Sequence, residues 1–161
     1  MTTTAVRERD DLLRSVLIGV LGASAGVHAA MAPHHYAESA TAGVTFVAGA
    51  IAMLALAARL AVRPSRAGYV AAAVVLVGAV GAYALALLGP VPLVASHAEA
   101  LSPLGVLTKA AEIAGLYAAI NLVYTTARGP SGLSGRAVVA AAYVPVTWAV
   151  GAAYLSHGAG H

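Results

Sequence analysis

Five stretches of the chain stay apolar for about as long as a helix needs to cross a bilayer, and this restricts the available folds more than any other feature. Crossing the ~30 Å hydrocarbon core takes roughly 20 helical residues. The stretches run approximately Ser15–Ala32, Ala42–Ala61, Gly68–Leu88, Leu104–Tyr124 and Ala137–Leu155. Composition supports the same reading: 60% of residues are hydrophobic, 9% are charged and mean hydropathy is +0.84, whereas a soluble domain is about 25% charged. Nine Lys/Arg and six Asp/Glu cannot coat the wet surface of a domain of 161 residues. The expected solvent is therefore the lipid bilayer. Runs of Ala, Val, Leu and Gly without ten-residue alternation predict helices and not barrel strands, because only helices and closed barrels satisfy their backbone in lipid. Disorder, nucleic-acid binding and a disulfide scaffold are excluded by the apolar content, the thinly spread charge of +3 and the absence of cysteine. The expected fold is an all-α integral membrane protein, one domain over 1–161 with about five transmembrane helices.

The basic residues predict its orientation. Arg7, Arg9 and Arg14 precede the first span, Arg59, Arg63 and Arg66 lie around the second break, and Arg128 and Arg136 lie in the fourth. By the positive-inside rule these ends are cytoplasmic, which puts the N-terminus inside and the C-terminus outside a multi-pass protein of the cell membrane. The breaks Arg63-Pro64-Ser65-Arg66 and Arg128-Gly129-Pro130-Ser131-Gly132 are turn chemistry and not domain linkers. All six histidines (28, 34, 35, 97, 157 and 161) then fall on the outer face. The first span is expected to stay as an anchor, since Pro33 would follow the signal-like Ala30-Met31-Ala32 cut. A faint repeat, His35-Tyr36-Ala37-Glu38 before Gly43 and His97-Ala98-Glu99 before Gly105, allows the first four helices to be read as two copies of a hairpin.

Two groups of residues carry candidate chemistry. His28, Met31 and His35 share a helical stripe at offsets 0, 3 and 7, and His34 with Glu38 forms an i, i+4 pair, provided that helix continues or restarts at Pro33. Imidazole with carboxylate suits copper or zinc, and without thiolates iron–sulfur and Cys-type zinc sites are excluded. His97 is the expected further ligand, with Glu99 beside it. It sits in a loop that Pro90, Pro92 and Pro103 stiffen, where Ser102 caps the fourth helix. The solvated-loop reading of these side chains stands beside the ligand reading. His157 and His161 form a weaker pair because Gly158 and Gly160 fray the tail. A haem held by His28 and His157 is less expected, since only His28 lies clearly inside a helix.

The second group is Lys109 and Glu112, three residues apart in the fourth span, roughly 8 and 12 Å below its outer start at about 1.5 Å per residue. Charges at that depth cost about 2.5–3.5 kcal/mol each, so they should pair and face the bundle or a wet cavity. Asn121 lies on the opposite helix face, which breaks any continuous polar track. Gly22 and Gly26, and Gly78 and Gly81, predict close crossings or a homomeric interface. Pro145 should kink the fifth span, with Tyr143, Trp148 and Tyr154 as lipid or subunit contacts. No nucleotide loop, nucleophile–base pair or hydrolase motif is present, so an enzyme acting alone is not expected.

Three functions remain at this level. The first expectation is a transition-metal protein, copper or zinc before haem, that handles metal or serves as a subunit of a membrane redox or oxygenase complex. The second is a non-catalytic accessory subunit of a larger membrane complex or homo-oligomer. The third is a small proton-coupled transporter using Lys109 and Glu112.

Overall fold

The computed structural model describes residues 3–90, 98 and 100–128 of the chain. Four helices occupy almost all of them: α1 (Thr3–Glu38), α2 (Ala40–Val62), α3 (Arg66–Leu88) and α4 (Pro103–Arg128), with no strand among the described residues. All four contain segments long and apolar enough to cross a membrane. The expected fifth span, 137–155, lies outside the described residues, together with His97, Glu99, His157 and His161.

Serine side chains define where the spans begin. Ser39 and Ser65 adopt extended backbone ahead of α2 and α3, and their hydroxyls accept from the amides of Ala42 and Gly68 at 3.4 and 3.2 Å. Ser102 does the same for α4, accepting from the Gly105 amide at 3.0 Å, with Pro103 as the first helical residue. Each hydroxyl satisfies one of the N-terminal amides that has no partner inside its helix.

The first helix extends past the expected span 15–32 at both ends, and of the two alternatives at Pro33 it takes the continuous one. It runs unbroken through Pro33 to Glu38, so His34 and His35 are helical and not in a loop. Proline leaves the Ala29 carbonyl without its helical donor, a loss that membrane helices tolerate. At 36 residues α1 is about 54 Å long, well beyond the hydrocarbon thickness. Its surplus is the charged N-terminal portion from Arg7 to Arg14, where Arg14 pairs with Asp11 at 3.5 Å.

The helices form an antiparallel ring in chain order, α1 against α2 and α4, and α3 against α4 and α2. Registers follow from cross-helix neighbours: His35 meets Phe46 and His28 also reaches Phe46 between α1 and α2, and Arg9 reaches Asn121 while Ser24 reaches Glu112 between α1 and α4. The core is a three- and four-residue stripe from every helix: Leu17, Leu21 and Ala25; Met53, Ala57 and Leu60; Tyr69, Ala72 and Leu76; Leu116, Ala119 and Leu122. Side chains at this spacing share one face of a helix and interlock with a neighbour's.

Outside the ring, the surface is apolar as well. Ile51, Leu54, Val74 and Leu107 are 61–69% exposed. Helices that are apolar on both inner and outer faces belong in lipid or against other apolar helices.

Within the described bundle, close approach falls at other glycines than the spaced pairs. Among the described residues, nothing lies within 4 Å of where a Cβ would sit on Gly22, Gly26, Gly78 or Gly81. The tight positions are Gly43, against Tyr36, Gly68, against Leu60, Gly105, against Tyr83 and Ser102, and Gly115, where a Cβ would lie 2.7 Å from Val20 Cγ1 and 3.3 Å from Leu76 Cδ1. A GxxxG spacing marks a small face without saying which neighbour it meets, and within this bundle the α1 glycines face outward.

Candidate functional site in the bundle

Towards the His34 and His35 end of α1, the apolar core gives way to a polar cluster. Ser24 and His28 lie one turn apart on α1, Lys109 and Glu112 three residues apart on α4, and the antiparallel register sets Ser24 opposite Glu112. Glu112 has no exposed surface, and Lys109 is 7% exposed. Both carboxylate oxygens are engaged: Oε2 accepts from Lys109 Nζ at 2.7 Å and Oε1 from the Ser24 hydroxyl at 2.5 Å. The expected Lys109–Glu112 pair is therefore present as an ion pair inside the bundle. Charge-assisted bonds of this kind offset part of the cost of removing two ions from water.

Lys109 has a second neighbour. Its ammonium lies 5.6 Å from the centre of the Tyr83 ring on α3, within reach of a cation–π attraction. The Thr108 hydroxyl next to it turns back to the Leu104 carbonyl at 2.7 Å.

His28 extends the cluster toward the end of the bundle. Its Nδ1 lies 2.9 Å from the Ser24 carbonyl oxygen and 3.3 Å from the Ser24 hydroxyl. Because a carbonyl can only accept, the hydrogen belongs on Nδ1 in the neutral ring. The ring is half-buried beside Phe46, at 5.2 Å between centroids, and Gly49 leaves it room, since a Cβ there would lie 3.4 Å from His28 Cδ2.

The remaining candidates form a second group in the last turn of α1. His34 Nε2 lies 3.4 Å from Glu38 Oε1 and His35 Nδ1 lies 3.3 Å from Glu38 Oε2. The buried His35 ring stacks on Phe46 at 4.0 Å, while His34 is exposed. His28 and His35 thus share Phe46, as their common stripe predicts, but His28 is committed to Ser24. Met31 on the same stripe is only partly buried. Among the described residues no three His, Asp or Glu side chains are arranged to hold a metal ion.

At the opposite end of the ring, Asn121 accepts from Arg9 at 3.5 Å and donates to the Tyr117 carbonyl at 2.8 Å. It belongs to a separate contact that joins α1 and α4.

Three participants escaped the sequence reading: Ser24, Phe46 and Tyr83. Ser24 had a local signal, a hydroxyl residue four before His28 in an otherwise apolar run. Its contact with Glu112 spans 88 residues of chain, and no local spacing reveals that.

No family model matches the chain, and neither the curated proteins nor the solved structures include a significant match.

Proposed function

We propose that the protein is a small proton-coupled membrane transporter whose working centre is the buried Glu112, with Lys109 as its counter-ion and Ser24 as its hydrogen-bond donor. The observation that carries the reading is a completely buried carboxylate tied to one ammonium on its own helix and one hydroxyl on a neighbouring helix. Ionisable groups within membrane spans are costly, and a bundle needing only packing gains nothing over apolar residues at these positions. Glu112 lies nine residues into α4, about 14 Å from its start and close to the middle of the hydrocarbon.

The pair has two chemically distinct states. With Glu112 ionised, Lys109 is bound and the site is neutral overall. When the carboxyl takes a proton, Lys109 loses its counter-ion and the Tyr83 ring, 5.6 Å away, is an alternative partner. A proton gained or lost at Glu112 thereby shifts contacts between α4 and both α1 and α3.

In this reading the chain has five spans, including 137–155, in the cell membrane, with the arginine-rich ends cytoplasmic and His28, His34 and His35 toward the outer side. The small outward face of α1 around Gly22 and Gly26 suits a fifth helix, a second copy or a larger complex. The test uses the full chain in proteoliposomes with a trapped pH dye and an imposed potential. Wild type should admit protons, and Glu112→Gln should abolish the flux. Equal flux in both would contradict the reading.

A second reading keeps copper or zinc. It rests on His34, His35 and Glu38 sharing one turn, and it requires a further ligand such as His97 from outside the described residues.

A further inference from the structure

We infer that His28 and Ser24 form a directional proton relay that loads Glu112 from the His34 and His35 end of the bundle. The inference rests on the proton-handling reading of Glu112 and adds the route by which the proton arrives.

The direction follows from which atoms can donate. The short contact to the Ser24 carbonyl fixes the hydrogen on His28 Nδ1, so toward the Ser24 hydroxyl this nitrogen is a donor and Oγ an acceptor, across 3.3 Å. Ser24 has a single hydroxyl hydrogen, and it points to Glu112 Oε1. The donors therefore run in one direction: the single Nδ1–H, held by the carbonyl at 2.9 Å and within reach of Oγ at 3.3 Å, and then Oγ–H to Oε1. On the far side of the ring, Nε2 has a lone pair and, among the described residues, no hydrogen-bond partner. His28 is also the only half-exposed member of the three, with Ser24 and Glu112 buried behind it.

A proton binds to Nε2, giving an imidazolium. The Nδ1 proton passes to Ser24 Oγ while the Ser24 proton passes to Glu112 Oε1. Serine is regenerated, Glu112 becomes a neutral carboxyl, and His28 is left neutral with its hydrogen on Nε2. Rotation of the ring that turns Nδ1 to water, where it gains a proton as Nε2 releases its own, followed by return of the ring, restores the starting tautomer. One proton enters and one arrives, and no other reactant is needed.

The groups around His28 suit an entry point. From α4 it faces the Lys109 and Glu112 charges, and from its own helix His35 lies one stripe position further out. On α2 it meets Phe46 and the space at Gly49, neither of which titrates. From α3, Tyr83 approaches Lys109. The opposing charges of Lys109 and Glu112 form a pair that is neutral overall beside the ring.

Time-resolved infrared spectroscopy of the reconstituted full chain after a pH jump tests the relay. The probe is the carbonyl band of a protonated carboxyl, assigned to Glu112 by its loss in Glu112→Gln. General acid–base participation is commonly worth 10²–10⁴ in rate, so Ser24→Ala and His28→Gln should each slow the appearance of the band by about 100-fold or more. Ser24→Thr, which keeps the hydroxyl, should restore most of the rate, as should free imidazole added to His28→Ala. If Glu112 protonates at the wild-type rate in Ser24→Ala and His28→Gln, the relay is overturned while the proton-handling reading survives. If wild type never shows the Glu112 band, both are overturned together.

Discussion

Replacing Lys109 with methionine keeps much of the side-chain volume and removes the ammonium, leaving Glu112 with only the Ser24 hydroxyl as donor. The lost attraction can be bounded from the 2.7 Å separation: at an effective dielectric near 20 it is about 6 kcal/mol. Part of that is offset in wild type by the desolvation of Lys109, which is nearly buried. Breaking one side of a buried pair typically costs 3–5 kcal/mol, because the remaining charge is left uncompensated. We therefore expect Lys109→Met to lower stability by about 3–5 kcal/mol, a fall in Tm on the order of 10 °C for a chain of this size. The double variant Lys109→Met/Glu112→Leu should recover most of the stability, since replacing both partners of a buried pair by apolar groups is often neutral or favourable. Thermal unfolding of the detergent-solubilised single and double variants is the assay. A change under about 1 kcal/mol in Lys109→Met, the size expected of a solvent-exposed pair, would refute the reasoning.

Other substitutions test different parts of the account. Gly115→Ala should destabilise by about 1–3 kcal/mol, because the new methyl meets Val20 at 2.7 Å and a β-branched side chain has little room to yield. Gly22→Ala, facing open space in this bundle, should instead stabilise α1 by roughly 0.5–1 kcal/mol, and both are read by the same unfolding assay; destabilisation with loss of an oligomer would show that this face is occupied. Single cysteines at Ser96 and Ser131 should react with an impermeant reagent from opposite faces, and labelling from one face would end the five-span topology. Elemental analysis of the purified chain beside His34→Ala and His35→Ala checks the second reading: near-stoichiometric copper or zinc lost in the variants supports it, and metal-free wild type that takes up neither ion at micromolar levels removes it.

Much of the architecture was legible because hydropathy and caps are local. The expected spans at 42–61, 68–88 and 104–124 lie within α2, α3 and α4, and the Ser102–Pro103 start of α4 was readable from two residues. The first helix was not, since an apolar run marks the part of a helix in hydrocarbon and not the helix itself. Arg7 to Arg14 are helical in spite of their charge, and Pro33 did not interrupt the chain where a soluble protein would favour a break. The Lys109–Glu112 and His34–Glu38 pairs were also visible, because three- and four-residue spacings place partners on one face. Contacts between helices were not. That Ser24 completes the Glu112 site, that Phe46 lies under two histidines, and that Gly115 and not Gly26 is the tight crossing all depend on the register and rotation of whole helices, which no short window encodes.

The most direct test of the central claim is an equilibrium infrared titration of the reconstituted protein. The account predicts a protonated-carboxyl band that rises as pH falls, disappears in Glu112→Gln and persists in Glu38→Gln, whose carboxylate lies in the partly exposed last turn of α1. A titrating band unchanged by Glu112→Gln, or none at any pH at which the protein stays folded, would contradict it and leave the Lys109–Glu112 pair as a fixed structural link.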